Sequence, residues 1–289
     1  MHIEWTVPEG HREVMLRTCI RGSCGLSASL WRRIKWNGRV LVNGEPVHNA
    51  RLPVRGGDRI RCEWSEASDI VPADLPLSVV YEDPWLLVVD KPAGMIIHPT
   101  HQGSYDTLVN AVAGYFKKKG TDAGIHPLYR LDRNTTGIVV VAKSAHIQYE
   151  MTRSHDQITR RYLAFSSGHL EETRGIVDAP IGRKEGSIIE WTVRADGKPA
   201  RTAYEILRRG VDFDVLRLRL YTGRTHQIRV HMAHLGHPLL GDDLYGGSQA
   251  RMERQALHAA DVALIHPATG KTMQWTSPLP EDMKKLLLC

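Results

Sequence analysis

The chain has 289 residues, 42% of them hydrophobic and 24% charged, with Gly and Pro scattered rather than repeated. That composition excludes fibrous and disordered classes, and its length suits one large core or two unequal ones. The longest apolar runs, 86–89 and 138–142, are strand-length, so no membrane span is expected. The net charge is +6, and residues 1–65 alone hold eleven Lys or Arg against six acids, the footprint of a module that meets a polyanion.

Cys19, Cys24, Cys62 and Cys289 form no CxxC pair, and the opening MHIEWTVPEGHRE lacks the basic-then-apolar pattern of a signal peptide. Free thiols and a cytoplasmic location are the expectation.

In chain order, Val14, Met15, Leu16, Cys19 and Ile20 have helical spacing over 12–24, closed by Gly22 and Gly25. A second short helix is predicted from Ser27 to Trp36, with Leu30, Trp31 and Ile34 inside and Arg32, Arg33 and Lys35 outside. Asn37-Gly38 turns the chain into a strand at 40–42, Asn43-Gly44 makes a two-residue hairpin, and 54–60 add a turn and a strand. Two short basic helices beside a hairpin, with LVNGEPV followed by VRGGDRI, resemble the S4 RNA-binding domain over about residues 10–63. The resemblance implies an RNA partner, with Arg32, Arg33, Lys35 and Arg39 on its phosphates, where they position RNA without reading its sequence. Residues 66–76 turn small, acidic and Pro-containing, and are expected to be a linker that lets domains 1–65 and 77–289 move against each other.

The second domain opens with strands at 77–81 and 86–90, followed by a helix from Thr107 to Phe116. A strand at 138–142, a helix from Ala145 to Ser154 and strands at 160–165, 174–178, 188–194, 200–207 and 213–220 come next. Strands outnumber helices and several adjoin through short turns. An α+β fold follows, a largely antiparallel mixed sheet with flanking helices and a central cleft.

Two stretches carry chemistry. In YRLDRNTTG (129–137) a lone carboxylate, Asp132, sits between two arginines in a polar turn that feeds an apolar strand. On its own such a turn reads first as a solvated ion pair. In TGRTHQIRVHMAHLG (222–236) a helix is expected to begin near Thr225 and close at Gly236, placing His226 and Arg229 on one face, Arg229 in reach of a carboxylate across a cleft. His226, His231, His234 and His237 invite a metal, but no HExxH, Cys pair or acidic cluster accompanies them, and no metal is expected. No Walker-type loop, GxGxxG or GxSxG is present, so neither a nucleotide cofactor nor a serine nucleophile is indicated.

YRLDRNTTG, RRYLAF (160–165) and TGRTHQIRVHMAHLGHPLLGDDLYG (222–246), with VVDKPAGMIIHP (88–99) and LHAADVALIHPATG (257–270), resemble the RluA-type family of pseudouridine synthases across about residues 77–280. The family motif has His and Ser where this chain has Tyr129 and Thr136. The resemblance implies isomerisation of uridines in structured RNA, ribosomal or transfer, by a monomer without a cofactor. It makes Asp132 the catalytic carboxylate, acting on the base or on the sugar carbon, and Tyr162 the aromatic that packs on the uracil. Arg229 would keep Asp132 ionised and oriented, Ile228 would line the base pocket, and Arg130 would fill the gap left by the flipped nucleotide. A non-catalytic RNA-binding assembly factor on the same scaffold is the competing expectation, and a metal-dependent RNA hydrolase is disfavoured by the missing carboxylate cluster. Asp132, Tyr162 and Arg229 together favour catalysis, because a binder of polyanions has no use for a desolvated carboxylate.

Overall fold

A computed structural model describes residues 2–22, 26, 28–66, 68–99, 103–152 and 158–288. Gly25, Ser27, Ser154, Cys24 and Cys289, named above as element ends or thiols, lie outside that set. Cys19 and Cys62 are both buried.

Residues 2–64 enclose a core of their own. Strands β1 (His2–Thr6), β2 (Val14–Met15), helices α1 (Leu16–Gly22) and α2 (Ala28–Asn37), and strands β3 (Arg39–Val42), β4 (Glu45–Pro46), β5 (Pro53–Val54) and β6 (Arg59–Glu63) follow in order. The four-stranded sheet runs β1-β6-β3-β4. Leu16, Cys19, Ile20, Leu30 and Ile34 from the two helices pack on Val40, Val42, Ile60 and Cys62 from that sheet. β1 was not foreseen, although Ile3 and Trp5 alternate with exposed residues as a half-buried strand should. The first expected helix is shorter than its pattern, because Val14 and Met15 pair with Val54 and Pro53 instead.

The segment after β6 is not the loose linker its composition suggested. The Glu66 carboxylate is buried, paired with Arg33 of α2 at 2.6 Å and with His126 at 3.7 Å, and it accepts the Trp64 indole N–H. Further on, the Asn110 side chain donates to the Val71 carbonyl, the Ala73 amide donates to the Asn110 carbonyl, and Lys118 pairs with Asp74. A Cβ on Gly114 would lie 2.0 Å from the Ala73 carbonyl oxygen, so glycine lets the strap lie this close.

Beyond it come β7 (Ser78–Glu82), β8 (Leu86–Lys91), α3 (Leu108–Lys119), β9 (His126–Pro127), β10 (Thr136–Ala142), α4 (Ala145–Thr152), β11 (Ile158–Ser167), β12 (Arg174–Asp178), β13 (Ile181–Arg183) and β14 (Trp191–Val193). Then follow β15 (Arg201–Arg209), β16 (Phe213–Leu220), α5 (Gln227–His234), a 3-10 turn at Asp243–Tyr245, β17 (Leu257–Ile265), β18 (Thr272–Thr276) and α6 (Glu281–Leu286). Ten strands form one sheet, ordered β12-β15-β16-β11-β17-β10-β8-β7, with β18 added to β17 and β9 to β10. Its pairings are antiparallel except β10 with β17, so the sheet is mixed and largely antiparallel as expected.

The apolar runs 86–89 and 138–142 lie side by side and are wholly buried because both faces are covered. Leu87, Val89, Val139 and Val141 face the side of α3 and α5, meeting Val109, Val112, Phe116, Ile228 and Met232. Leu86, Val88, Ile138 and Val140 face the other way, onto Ile147 and Met151 of α4. Alternate residues of two continuous apolar strands thus hold both layers of helices.

Candidate active site

The cleft opens where the two halves of the large sheet meet. Arg130, Leu131, Asp132 and Thr135 line it from the turn before β10, Tyr162 from β11, and Arg224, His226, Gln227, Ile228 and Arg229 from the start of α5. Leu220 and Leu257 complete its lining, and the cleft is open to solvent.

Asp132 is carried on a braced turn. Its carbonyl accepts the Thr135 amide, Arg254 donates to the Asn134 carbonyl, and Gln255 reaches the Thr135 hydroxyl. At Gly137 φ is +110°, and a Cβ would fall 2.2 Å from the Ala259 carbonyl oxygen. The chain can therefore pass from turn to strand at this close approach only through glycine. Under the turn lies the Lys91 ammonium, buried and donating to the carbonyls of Pro92, Met95 and Arg133. Burial pulls its pKa down to about 7, while the Asp132 charge pulls it up. Arg133, left without a role from the sequence, donates to the Gly94 carbonyl.

Arg229 reaches Asp132 as expected, Nη1 to Oδ2 at 3.4 Å. Its stronger partner is one that the sequence did not disclose. Asp242 takes Nε at 2.8 Å and Nη2 at 2.7 Å in a two-pronged bond, with the side chains only 8% and 0% exposed. Burial opposes the Arg229 charge, but the hydrogen bonds and charge of Asp242, with Asp132, overcome it and raise its pKa. Asp132 is 25% exposed, its carboxylate open to the cleft.

Tyr162 lies in β11 where the register against β17 slips between Arg161 and Leu163. A bulge at this point re-aims a side chain into a site. The ring is buried in the central core, paired across the sheet with Leu218 and sharing the cleft wall with Ile228, and burial raises its hydroxyl pKa, keeping it protonated. Ile228 forms the aliphatic wall on the first turn of α5, and Arg130 is exposed at the rim.

The α5 boundary differs from expectation. The helix begins at Gln227, and His226 precedes it in the left-handed region with φ 54°. His226 therefore does not share a helical face with Arg229, yet its Nε2 lies 3.9 Å from Asp132 Oδ1 and its Nδ1 lies 2.8 Å from the Tyr245 hydroxyl. His231 is a packing residue, bonded to Thr202 and the Ala179 carbonyl, and His237 bonds the Ser167 carbonyl. Among the described residues no group of three His, Cys, Asp or Glu is placed to hold a metal ion. Tyr129, where the family motif has His, tucks its hydroxyl onto the Ile138 carbonyl beneath the Arg160 guanidinium.

At the other end of the molecule, Arg32, Lys35 and Arg39 are exposed, but Arg33 is taken by Glu66. That ion pair ties α2 to the segment after β6.

Residues 85–234 match the family model described as RNA pseudouridylate synthase. The uncharacterized RNA pseudouridine synthase YjbO of Bacillus subtilis is 39% identical over 272 residues, 92% of this chain and 96% of that protein. Ribosomal large subunit pseudouridine synthase D of Escherichia coli is 40% identical over 267 residues, 86% of this chain and 82% of that one. Among solved structures, human RNA pseudouridylate synthase domain containing 1 gives a TM-score of 0.58 at 25% identity over 75% of this chain and 95% of that one. The human protein with domain containing 4 gives 0.59 at 24% identity over 73% and 92%, a likeness of fold alone. The chain belongs to the RluA-type family of RNA pseudouridine synthases, and it is an isomerase acting on RNA.

Proposed function

We propose that Asp132 is the catalytic carboxylate of this synthase, that Arg229 orients it, and that Tyr162 and Ile228 hold the uracil. The observation that carries this is the Asp132–Arg229 contact across a cleft whose other walls are one aromatic and one aliphatic side chain. In the reaction the bond from N1 of the base to the sugar carbon breaks and one from C5 forms. A proton leaves C5 and N1 gains one, so the product is an isomer and the atoms balance without a co-substrate. An ionised carboxylate can attack C6 of the base or stabilise the electron-poor sugar carbon. The detached uracil must be kept in place and turned, and the two apolar walls do this while Tyr162 stays a neutral donor. The target must leave its stack, at a cost of a few kcal/mol. Arg130, exposed at the rim, occupies the gap in this reading.

Residues 1–65 bring the RNA, with Arg32, Lys35 and Arg39 on its phosphates, and the protein acts as a monomer in the cytoplasm. The 40% identity to a synthase named for the large ribosomal subunit makes ribosomal RNA of that subunit the first substrate to try. Pseudouridine would be mapped in total ribosomal and transfer RNA from cells with and without the gene, complemented by wild type or Asp132→Asn. A site that disappears with the gene and returns only with wild type is the expected result. Full restoration by Asp132→Asn overturns the assignment, and points to a binding factor on the same scaffold.

A further inference from the structure

Besides Asn43 in a hairpin turn, His226 is the one non-glycine with positive φ among the described residues. Such a backbone costs about 1 kcal/mol or more and persists only where the surroundings enforce it. Here it swings the imidazole out of α5 and lodges it between Tyr245 and Asp132. The Tyr245 hydroxyl accepts the Trp191 amide N–H at 3.1 Å, so its own O–H is free to donate, and His226 Nδ1 is the acceptor 2.8 Å away. With Nδ1 accepting, a neutral imidazole carries its proton on Nε2, the nitrogen that faces Asp132. The groups facing the ring are Asp132, Arg229, Asp242, Arg183 and Tyr245. Burial lowers its pKa, with the charges of Arg229 and Arg183 adding to burial and those of Asp132 and Asp242 opposing it.

We infer that His226 is a positioning residue for Asp132, locked by Tyr245 as the Nε2–H tautomer so that an N–H is presented to Oδ1 while Arg229 takes Oδ2. This rests on Asp132 being the catalytic carboxylate. A carboxylate held by one donor turns freely about its last bond, whereas a donor on each oxygen fixes its plane. At 3.9 Å the Nε2 contact is longer than a hydrogen bond. It tightens when a nucleotide fills the cleft and displaces water, as catalytic contacts do on substrate binding.

The test uses full-length protein labelled with nitrogen-15 histidine, with tautomers read from two-bond proton–nitrogen correlations. Wild type should show His226 only as the Nε2–H form, and Tyr245→Phe should show a mixture. Pseudouridine formation should fall roughly 10- to 100-fold in kcat for Tyr245→Phe and His226→Ala, the worth of one hydrogen bond to a charged group, with KM for RNA unchanged. His226→Gln, which keeps an amide donor at that reach, should recover most of the loss. An Nδ1–H tautomer in wild type, a wild-type kcat for Tyr245→Phe, or a loss confined to KM overturns the proposal. Asp132→Asn is assayed in parallel. If it is active, the Asp132 assignment fails; if it is inactive while the His226 and Tyr245 variants are unimpaired, only the positioning role fails.

Discussion

Asp242→Asn separates the two jobs of Arg229, staying folded and aiming Asp132. Wild-type Arg229 gives Asp242 two short charge-assisted bonds, 2.8 and 2.7 Å, and gives Asp132 one long bond of 3.4 Å. Both members of the Asp242 pair are buried, so removing one charge leaves the other unpaired in a medium that solvates it poorly. Breaking a buried pair costs about 3–5 kcal/mol, and the lower end applies because Asn keeps one acceptor and Asp132 keeps part of the charge compensated. About 3 kcal/mol corresponds to a drop of roughly 6–12 °C in melting temperature for a domain of this size. Activity should fall as well, because a guanidinium released by Asp242 moves onto Asp132 and covers the oxygen that the substrate needs. The assay follows tritium released from C5-labelled uridine in a transcript, beside a thermal melt. An Asn variant that melts and turns over like wild type would refute the assignment of Asp242 as the anchor of Arg229.

Three further outcomes are expected. Gly137→Ala forces a Cβ against the Ala259 carbonyl at a positive φ and should cost roughly 3 kcal/mol or more, read from chemical denaturation; a loss under 1 kcal/mol would mean that the turn has room to move. Burial works against the Glu66 charge, but His126, Trp64 and Arg33 outweigh it, so its folded pKa lies below the ordinary glutamate value. Its stabilisation is then complete above pH ~4.3 and lost as pH falls through the folded value, so Glu66→Gln should melt below wild type at pH 7 by roughly 1–3 kcal/mol, with the difference closing on acidification. A difference that widens in acid would contradict that sign. Arg32→Ala with Lys35→Ala should reduce the salt slope of RNA binding by about two. Arg33→Ala, acting through Glu66, should leave the slope unchanged while lowering the melting temperature.

Asp132, Tyr162, Ile228 and Arg229 stood out in the sequence because each sits in a contiguous motif resembling the family's, and for Tyr162 and Arg229 it was that position rather than residue type that pointed to the site. Asp242 and Tyr245 stand in an equally distinctive stretch, GDDLYG, but one sequence does not say which of its polar groups turns back onto Arg229 or His226. Those contacts depend on how the loop after α5 folds under it. β17 was passed over as a strand for a related reason: LHAADVALI is buried on both faces and rich in Ala, so it lacks the alternation that marks a strand and has the composition of a buried helix. The 66–76 segment misled in the opposite sense. Proline and acid suggested a solvated tether, whereas Glu66 found Arg33 on one side and His126 on the other, and the backbone found Asn110.

The place of β17 bears on how the site is put together. On one side of it lies the half-sheet that carries Asp132 before β10. On the other lies the half that carries Tyr162 in β11 and, through β16, leads to Arg229. Both halves precede residue 257 in the chain, and among the described strands it is β17 that joins them edge to edge. The carboxylate and its partners are therefore set in one continuous sheet only once residues 257–265 are in place.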